Sequence, residues 1–364
     1  MEVAEGKVIA YCGNAAPERK RPGVNVDVAR APRSSGSILK PFLYCDALGD
    51  GALLPYSLIA DTPVNINGFT PQNYNMTYEG AVPAAEALSR SLNVPCVHLL
   101  KSYGVEKFME NLKARGLTTF TRSASDYGLS LILGGGGGVS GPDADGVSRC
   151  HAHCPGIPVA IAGPSFPCDF PDGTYHVPVD FIRPVHLLQG IQCIEYGYNV
   201  FGLVMFEIFN MLPASSPDWF PSPEMNPAWK HPVHHAEVCA LSGFLAGPDC
   251  TDKTDIMIPD AGERSAVCPY HFQENGHNVF RLTPAMEWFY RQRHPEYDSA
   301  SGTSVSSETP IMEFIYPENG SRITLARQND GTLGDLVLNL AHHVKNATVV
   351  QHGLRTRKGR ENQM

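Results

Sequence analysis

Between residues 134 and 199 the sequence loses every sign of regular secondary structure. The stretch opens with five consecutive glycines, Gly134–Gly138, and continues with scattered Cys, His, Pro and Gly. Apolar residues recur there with neither helical nor strand spacing, so the stretch cannot present one apolar face to a core. Any hydrophobic core must therefore be assembled from the sequence on either side of it.

The sequence before this stretch has the apolar spacing of helices. A helix is predicted to begin near Ser37, where Ser35 and Ser37 offer capping hydroxyls, and to end at Gly49-Asp50-Gly51. Two further helices are predicted over residues 84–92 and 96–103, with Pro95 ending the first of them. A stripe of apolar residues between Gly104 and Gly116 indicates a helix packed on the core: Val105, Phe108, Met109 and Leu112.

Shorter periodic segments follow the patternless stretch. We predict an amphipathic helix over Val204–Leu212, a small Cys-bearing section from Cys239 to His271, and a Ser-rich linker over Ser299–Thr309. The alternation in Asp335–Leu340 is typical of a half-buried strand.

Composition excludes some classes of function. The formal net charge of −9 argues against nucleic-acid binding, which needs a dense Lys and Arg surface. No apolar stretch approaches the roughly 20 residues that span a bilayer, so we predict no membrane span in this chain. The start of the sequence has neither the basic nor the apolar region of a secretory signal.

The tetrad Ser37-Ile-Leu-Lys40 offers a nucleophile and a base. On a helix, residues three apart share a face, so the Lys40 amine can accept the proton of the Ser37 hydroxyl. Free backbone N–H groups at a helix start can stabilise an oxyanion. The alternative is a capping serine beside a surface lysine. Because a loop enters an apolar helix at this point, we favour the catalytic interpretation.

A second candidate pair lies at a predicted break between helices. The Ser91 hydroxyl can relay a proton, and the Asn93 amide can hold a substrate carbonyl or steady the lysine.

These segments resemble penicillin-binding proteins. The resemblance rests on Arg33–Tyr44, Asn73–Gly80 and Ser89–Pro95; it covers roughly residues 1–137 and resumes near Val204. Such enzymes use Ser-x-x-Lys, Ser-x-Asn and Lys-Thr-Gly motifs. The resemblance implies that Ser37 is the acylated nucleophile, Lys40 the base, Ser91 the proton relay and Asn93 a substrate-positioning amide.

The resemblance also implies a fold and a function. The expected fold is an incomplete transpeptidase domain of the α/β (α+β) class, with an antiparallel sheet and helices, followed by a small incomplete C-terminal β-sandwich. The expected activity is peptidoglycan D,D-transpeptidation on stem peptides, with β-lactams as covalent inhibitors and no cofactor. The expected location is the periplasm, with inner-membrane association. We expect the family's anchor helix and glycosyltransferase domain to be missing. The expected divisions are the N-terminal part of the transpeptidase domain (1–137), a segment without pattern (138–199), the end of the transpeptidase domain with the Cys-bearing segment (200–298), a linker (299–309) and a truncated C-terminal β module (310–364).

The third motif is missing, because neither Lys-Thr-Gly nor Lys-Ser-Gly occurs in the 364 residues. The nearest match, Lys253-Thr254-Asp255, carries a side chain and a negative charge where glycine is needed. One hypothesis is a reading-frame shift or internal deletion in the gene, which nucleotide sequencing tests. The alternatives are an inactive remnant that binds peptidoglycan or a partner and, with less support, a D-Ala-D-Ala carboxypeptidase or β-lactamase.

Two groups of residues have the composition of a zinc site. Cys150, His153 and Cys154, with Cys168, lie in the patternless stretch, and we interpret them as surface thiols or as a product of the shifted reading frame rather than as a metal site. Cys239, Cys250, Cys268 and His271 either form a structural tetrahedral site or include one disulfide with a thiol left over. The sequence does not choose between these two interpretations.

Overall fold

The computed structural model describes residues 34–66, 68–117, 119–135, 168–170, 173–175, 233–274, 276–297, 312–316 and 338–342. The Cys150–Cys154 group, the helix predicted over Val204–Leu212 and the Ser299–Thr309 linker lie outside them. The proposed divisions of the chain stay predictions.

The centre of the fold is a helix that is buried on nearly all sides. This helix, α1, runs over Lys40–Gly49, and helices α3 (Asn93–Tyr103) and α4 (Val105–Ala114) pack against it. A helix that is apolar all round belongs in a core rather than at a surface. The core around α1 is closed by α5 (Ala124–Tyr127) and a 3₁₀ helix (Gly128–Leu133) and contains Leu39, Phe42, Leu43, Phe108, Leu112, Leu117 and Leu131.

The apolar stripe predicted between two glycines is confirmed as the buried face of α4. Phe108, Met109 and Leu112 are buried, whereas the intervening charged residues are exposed. Gly104 and Gly116 flank the helix with φ of 97° and 90°. These left-handed conformations suit glycine, so both helix boundaries follow from local sequence.

Two helix boundaries differ from the prediction. The first helix begins at Lys40, and neither Ser35 nor Ser37 caps it with a side chain. Helix α2 (Ala84–Ser89) ends before Ser91, and α3 begins at Asn93, so Pro95 lies in the first turn of α3. Proline is tolerated there because the first N–H groups of a helix have no partner within it.

A short antiparallel pair connects the core to the candidate active site. Strand β1 (Leu58–Asp61) pairs with β2 (Gly80–Pro83), with Leu58 opposite Pro83 and Asp61 opposite Gly80. Residues 62–79 form the connection between them, and α2 follows β2 directly.

The remaining strands also form antiparallel pairs. Their bounds are β3 (Cys168–Phe170) with β4 (Gly173–Tyr175), β5 (Val233–Cys239) with β6 (Lys253–Pro259), β7 (His271–Glu274) with β8 (His277–Phe280), and β9 (Met312–Tyr316) with β10 (Asn339–His342). A 3₁₀ helix, Asp260–Arg264, follows β6, and helix α6, Pro284–Arg293, follows β8. The α+β class with antiparallel strands and helices is confirmed. Of the strand predicted over Asp335–Leu340, residues 335–337 lie outside the described residues, and Asn339 and Leu340 lie in β10. The β-sandwich stays a prediction.

Residues 233–297 pack closely on the part that contains α1. A Cβ added to Gly80 of β2 meets the Met286 carbonyl oxygen of α6 at 2.1 Å. A Cβ added to Gly243 meets the Tyr56 carbonyl oxygen at 1.9 Å. Both glycines have positive φ, and only a residue without a side chain allows the two backbones to approach this closely. In the part of the chain that the structure describes, no helix has the length and apolar content needed to cross a membrane.

Candidate active site

The tetrad forms a tight turn that leads into α1. The Ile38 N–H donates to the Ser35 carbonyl and the Lys40 N–H to the Ser37 carbonyl, both at 3.1 Å. Gly36 has φ of 49°, a left-handed conformation that favours glycine. Ser37 therefore lies one tight turn before the first residue of α1, rather than within the helix.

The glycine run begins against this turn. Gly134, with φ of 90°, follows the 3₁₀ helix, and the Ser34 hydroxyl donates to its carbonyl at 2.8 Å. A Cβ on Gly134 meets the Gly36 nitrogen at 2.6 Å. The first glycine of the run thus lets the chain pass beside the turn that contains Ser37.

Lys40 brings three of the predicted site residues together. Its side chain is buried, with the residue 1% exposed. Lys40 Nζ donates to the Ser91 carbonyl at 2.7 Å, to Asn93 Oδ1 at 2.7 Å and to Ser91 Oγ at 3.2 Å. An ammonium ion has three N–H donors, and these three oxygen atoms can each accept one of them. The alternative of a surface lysine is wrong.

Ser91 ends helix α2 in an unusual backbone conformation. The Ser91 N–H donates to Leu88 and the Leu92 N–H to Ala87, both at 2.9 Å, which is the Schellman pattern of helix termination. Ser91 occupies the left-handed position with φ of 53°. Glycine normally occupies this position, and a side chain there costs about 1 kcal/mol. The hydroxyl gained in exchange contacts Lys40.

Asn93 is fixed at the start of α3. Its Nδ2 donates to the Gln72 carbonyl at 2.9 Å while its Oδ1 accepts from Lys40. If the amide were flipped, both bonds would be lost, because Nδ2 would face the Lys40 ammonium donor and Oδ1 would face the Gln72 carbonyl oxygen. The orientation of the Asn93 amide is thereby determined.

Asn73 positions Asn93 from the β1–β2 connection. Its Oδ1 accepts from the backbone N–H groups of Asn93 at 3.0 Å and Val94 at 3.1 Å, and thereby caps α3. Its Nδ2 donates to Asp61 Oδ1 at 2.7 Å, while the Glu79 N–H donates to Asp61 Oδ2 at 2.9 Å. Burial raises the pKa of Asp61, although these hydrogen bonds oppose the change. Sequence spacing does not identify Asn73, which lies 20 residues before Asn93 in a loop without periodicity, or Asp61, which ends β1 still earlier in the chain.

The Ser37 hydroxyl is not part of the lysine network. Ser37 is buried, and its Oγ forms no hydrogen bond with any residue that the structure describes. The direct Ser37–Lys40 contact expected from helical spacing is therefore not formed, because α1 starts at Lys40 and the amine points to Ser91 and Asn93. Catalytic hydrogen bonds are often loose before substrate binds.

Neutral groups neighbour the lysine network. Burial raises the pKa of Tyr44, one helical turn after Lys40, well above its ordinary value. Burial also raises the pKa of Cys96, although the positive charge of Lys40 opposes this effect. Both side chains therefore stay uncharged at neutral pH.

The nearest match to the third motif lies elsewhere. Lys253, Thr254 and Asp255 are exposed on β6, which pairs with β5 and not with β1 or β2. Lys253 Nζ lies 3.6 Å from Glu237, and Asp255 lies 2.8 Å from His235. Its contacts give this tripeptide no part in the candidate active site.

A separate cluster contains residue types that hold metal ions. The ligand atoms of Cys239, Cys250, Cys268 and His271 all lie within 4.8 Å of one another, and all four residues are buried. The three cysteines are free thiols, so the structure does not contain the alternative disulfide among them.

Comparisons with known proteins match the N-terminal part of the chain. The family described as the penicillin binding protein transpeptidase domain matches residues 1–127. Penicillin-binding protein 1C of Escherichia coli (strain K12) is 41% identical over 113 residues, 31% of this chain and 15% of that protein. Penicillin-binding protein 1F of Bacillus subtilis (strain 168) is 39% identical over 106 residues, 29% of this chain and 14% of that protein. The chain thus spans a small part of these relatives.

Solved structures give more distant similarities. The penicillin-binding protein PonA1 from Mycobacterium tuberculosis matches with a TM-score of 0.32 and 20% identity, over 35% of this chain and 36% of that chain. The complex of PonA1 with penicillin V matches with the same TM-score and 21% identity, over 35% of this chain and 37% of that chain.

Proposed function

We propose, from the premise that residues 1–127 are transpeptidase-domain sequence of the penicillin-binding protein type, that Ser37 is the acylated nucleophile of a peptidoglycan D,D-transpeptidase. One observation carries the proposal: a buried lysine, one tight turn after Ser37, is hydrogen-bonded to both Ser91 and Asn93. The proposed acyl donor is the D-Ala-D-Ala end of a stem peptide. The proposed location is the periplasm, in association with the inner membrane.

In the acylation step, Ser37 Oγ attacks the carbonyl carbon of the penultimate D-Ala, and the hydroxyl proton passes to a neutral Lys40 amine. The tetrahedral intermediate collapses as the C–N bond breaks. The Ser91 hydroxyl relays the proton to the leaving nitrogen, and D-Ala departs. In the second step the amine of a neighbouring stem peptide attacks the ester, and Ser37 regains its proton. A β-lactam acylates the same oxygen when its ring amide opens.

The contacts of Lys40 suit both protonation states of this cycle. The Ser91 carbonyl and Asn93 Oδ1 can only accept, so each requires an N–H from the amine. The Ser91 hydroxyl can either accept or donate. When Lys40 is neutral, this hydroxyl can donate to the single lone pair of the amine, so the network survives the loss of one proton; in the acylation step the Ser37 hydroxyl takes its place at that lone pair. A relay needs this property.

We propose that the activity is impaired in this chain. In the intact family the Lys-Thr-Gly strand contributes a wall of the site, and the chain has no such motif. Its absence removes contacts that hold the acyl donor and stabilise the oxyanion. Loss of one oxyanion donor alone lowers an enzyme's rate by about 10²- to 10³-fold.

A second candidate function is peptidoglycan or partner binding without catalysis. Two observations favour it: the missing motif, and a Ser37 hydroxyl without a hydrogen bond to any described residue. In this case the lysine network only stabilises the fold.

Labelling with a fluorescent penicillin tests the proposal. The full chain is incubated with the probe, denatured and examined by gel fluorescence and mass spectrometry. We expect slow, substoichiometric labelling that is lost in Ser37→Ala, because this variant removes the attacking oxygen.

Ser35→Ala is the matched control, because Ser35 lies in the same turn and its buried hydroxyl also has no hydrogen bond to a described residue. We expect this variant to label as the unmodified chain does. Labelling that persists in Ser37→Ala contradicts the proposed nucleophile, and rapid stoichiometric labelling contradicts the proposed impairment. An absence of label in every variant favours the binding function.

A further inference from the structure

The four residues of the thiol–imidazole cluster, Cys239, Cys250, Cys268 and His271, come from three separate places in the chain. Cys239 ends strand β5, Cys250 lies shortly before β6, and Cys268 and His271 flank the start of β7. Each residue is 8% exposed or less. Four side chains of metal-ligand type thus converge from three places in the chain onto one buried point.

The distances within the cluster match tetrahedral zinc. His271 Nδ1 lies 3.4 Å from Cys239 Sγ and 3.3 Å from Cys268 Sγ. With zinc bonds of about 2.3 Å to sulfur and about 2.0 Å to nitrogen, a tetrahedron separates sulfur from nitrogen by about 3.5 Å and two sulfurs by about 3.8 Å. All four ligand atoms lie within 4.8 Å of one another, so no separation in the cluster exceeds the tetrahedral sulfur–sulfur value by more than about 1 Å.

The surroundings of the sulfur atoms suit thiolates. The backbone N–H of Ser242 donates to Cys239 Sγ at 3.4 Å, and that of Gly247 donates to Cys250 Sγ at 3.3 Å. The Ser242 hydroxyl donates to Cys268 Sγ at 3.1 Å. Donors that point at sulfur stabilise a negative charge there, and neutral thiol and disulfide sulfurs are weak acceptors.

Simple packing of reduced cysteines explains less of this arrangement. Free cysteine behaves as a small apolar residue, and Phe244, Ala246 and Tyr270 pack around these thiols. Apolar packing, however, does not require the His271 ring nitrogen to lie beside two sulfur atoms. Nor does it require a hydrogen-bond donor to point at each of the three cysteine sulfurs. A disulfide between two of the cysteines leaves one thiol over and does not require an imidazole beside it.

We propose that Cys239, Cys250, Cys268 and His271 bind one zinc ion in a closed structural site that fastens the β5–β6 hairpin to the β7–β8 hairpin. On binding, the three thiols release their protons to solvent, and the neutral imidazole donates its Nδ1 lone pair to the metal. The site takes four protein ligands and leaves no position for substrate. It is independent of the activity proposed for Ser37.

Zinc content and a cobalt spectrum test the proposal. The full chain is purified under reducing conditions, loaded with excess Zn²⁺, desalted and analysed by mass spectrometry for metal. We expect about one zinc per chain, the stoichiometry of a single four-ligand site. After Co²⁺ replaces Zn²⁺, we expect a thiolate-to-cobalt charge-transfer band and the visible absorption of tetrahedral cobalt.

Variants identify the ligands. Cys250→Ser and His271→Asn should lose stoichiometric zinc, whereas Cys45→Ser, which changes a cysteine outside the cluster, should retain it. Ser242→Ala removes only a hydroxyl that donates to a ligand, and should weaken zinc affinity about tenfold in competition with a chelator.

A wild-type chain that holds no zinc after loading overturns the proposal. So does a disulfide between two of the three cluster thiols in metal-free native protein, or a Co²⁺ spectrum without thiolate charge transfer. The last measurement needs only the wild-type chain, so it decides the question even if the ligand variants fail to fold.

Discussion

At the scale of single residues, Ser91 combines a strained backbone with a hydroxyl that contacts the buried amine. The Schellman termination of α2 requires a left-handed residue, and glycine meets this requirement without strain. Serine at this position costs stability, and the Ser91 Oγ–Lys40 contact is what the side chain provides. Strain of this kind is often found at functional sites.

Two substitutions at Ser91 distinguish the effect of backbone strain from the effect of the hydroxyl. Ser91→Gly relieves the strain, whereas Ser91→Ala keeps the Cβ, and both remove the relay. We expect both variants to acylate about 10²-fold more slowly, because a positioned acid–base group contributes at least that much. Long incubations with fluorescent penicillin measure this rate.

The stabilities of Ser91→Gly and Ser91→Ala should differ, although their acylation rates should be similar. We expect the free energy of unfolding of Ser91→Gly to exceed that of Ser91→Ala by about 1 kcal/mol, measured by urea denaturation. Equal stabilities contradict the left-handed strain, and an unchanged acylation rate contradicts the relay.

Sequence reasoning identified Lys40, Ser91 and Asn93, which the structure joins, but it missed the residues that position them. The motifs are local, so spacing predicts them. Asn73 caps α3 from a loop that is distant in sequence, and Asp61 holds Asn73 from the end of β1. Contacts of this kind depend on tertiary packing, which no local pattern encodes.

At the scale of secondary-structure elements, the fold depends on a close approach of α6 to β2. Gly80 has φ of 78°, and the Met286 carbonyl and Tyr290 nitrogen of α6 occupy the place of its missing side chain. The helix axis therefore lies nearer to the strand than any larger residue at position 80 permits.

Gly80→Ala should destabilise the protein by several kcal/mol, because the added methyl group meets backbone atoms that cannot move independently. Gly116→Ala is the matched control, since Gly116 has φ of 90° and no atom within 4 Å of the added Cβ. We expect the control to cost only the conformational penalty, about 1 kcal/mol. Thermal and urea denaturation of both variants measure the difference. Similar losses in the two variants argue against the close packing.

Element predictions succeeded where the pattern was local and complete. Helix α4 has both an apolar stripe and flanking glycines, and it was found between them. The start of α1 was missed because Ser35 and Ser37 have capping side chains whose hydroxyls do not cap. The break before α3 was placed too late because Pro95 lies inside a first turn.

At the scale of the whole molecule, Glu79 joins the active-site part to the end of α6. The Glu79 carboxylate pairs with Arg90 after α2, and lies 3.5 Å from Arg293 of α6. Hydrogen bonds from Arg90 hold the pKa of Glu79 below its ordinary value, against the opposing effect of burial, and Arg293 adds to the lowering.

This pairing should make stability depend on pH. Because the pKa of Glu79 is lower in the folded state, its contribution is present above the unfolded value of about 4.3 and is lost as the pH falls through the folded value. We expect Glu79→Gln to lower the free energy of unfolding by about 1 kcal/mol at pH 7, a value at the upper end for partly exposed pairs. The difference should shrink below pH of about 4.

Urea denaturation of both proteins across this pH range checks the effect. Glu110→Gln is the control, because Glu110 is exposed on α4; it should change stability by less than about 0.5 kcal/mol. A Glu79→Gln difference that grows in acid has the wrong sign for a lowered pKa.

Ser242 uses every polar group that it has. Its N–H and its hydroxyl point at two different cysteine sulfurs, while its carbonyl accepts the N–H of Leu58, the first residue of β1. The same β1 ends at Asp61, which is connected through Asn73 by two hydrogen bonds to the backbone N–H of Asn93. A displacement of the Ser242 backbone is therefore expected to disturb the thiol–imidazole cluster and the start of β1 together, whereas a change of its side chain alone removes only the hydrogen bond to Cys268.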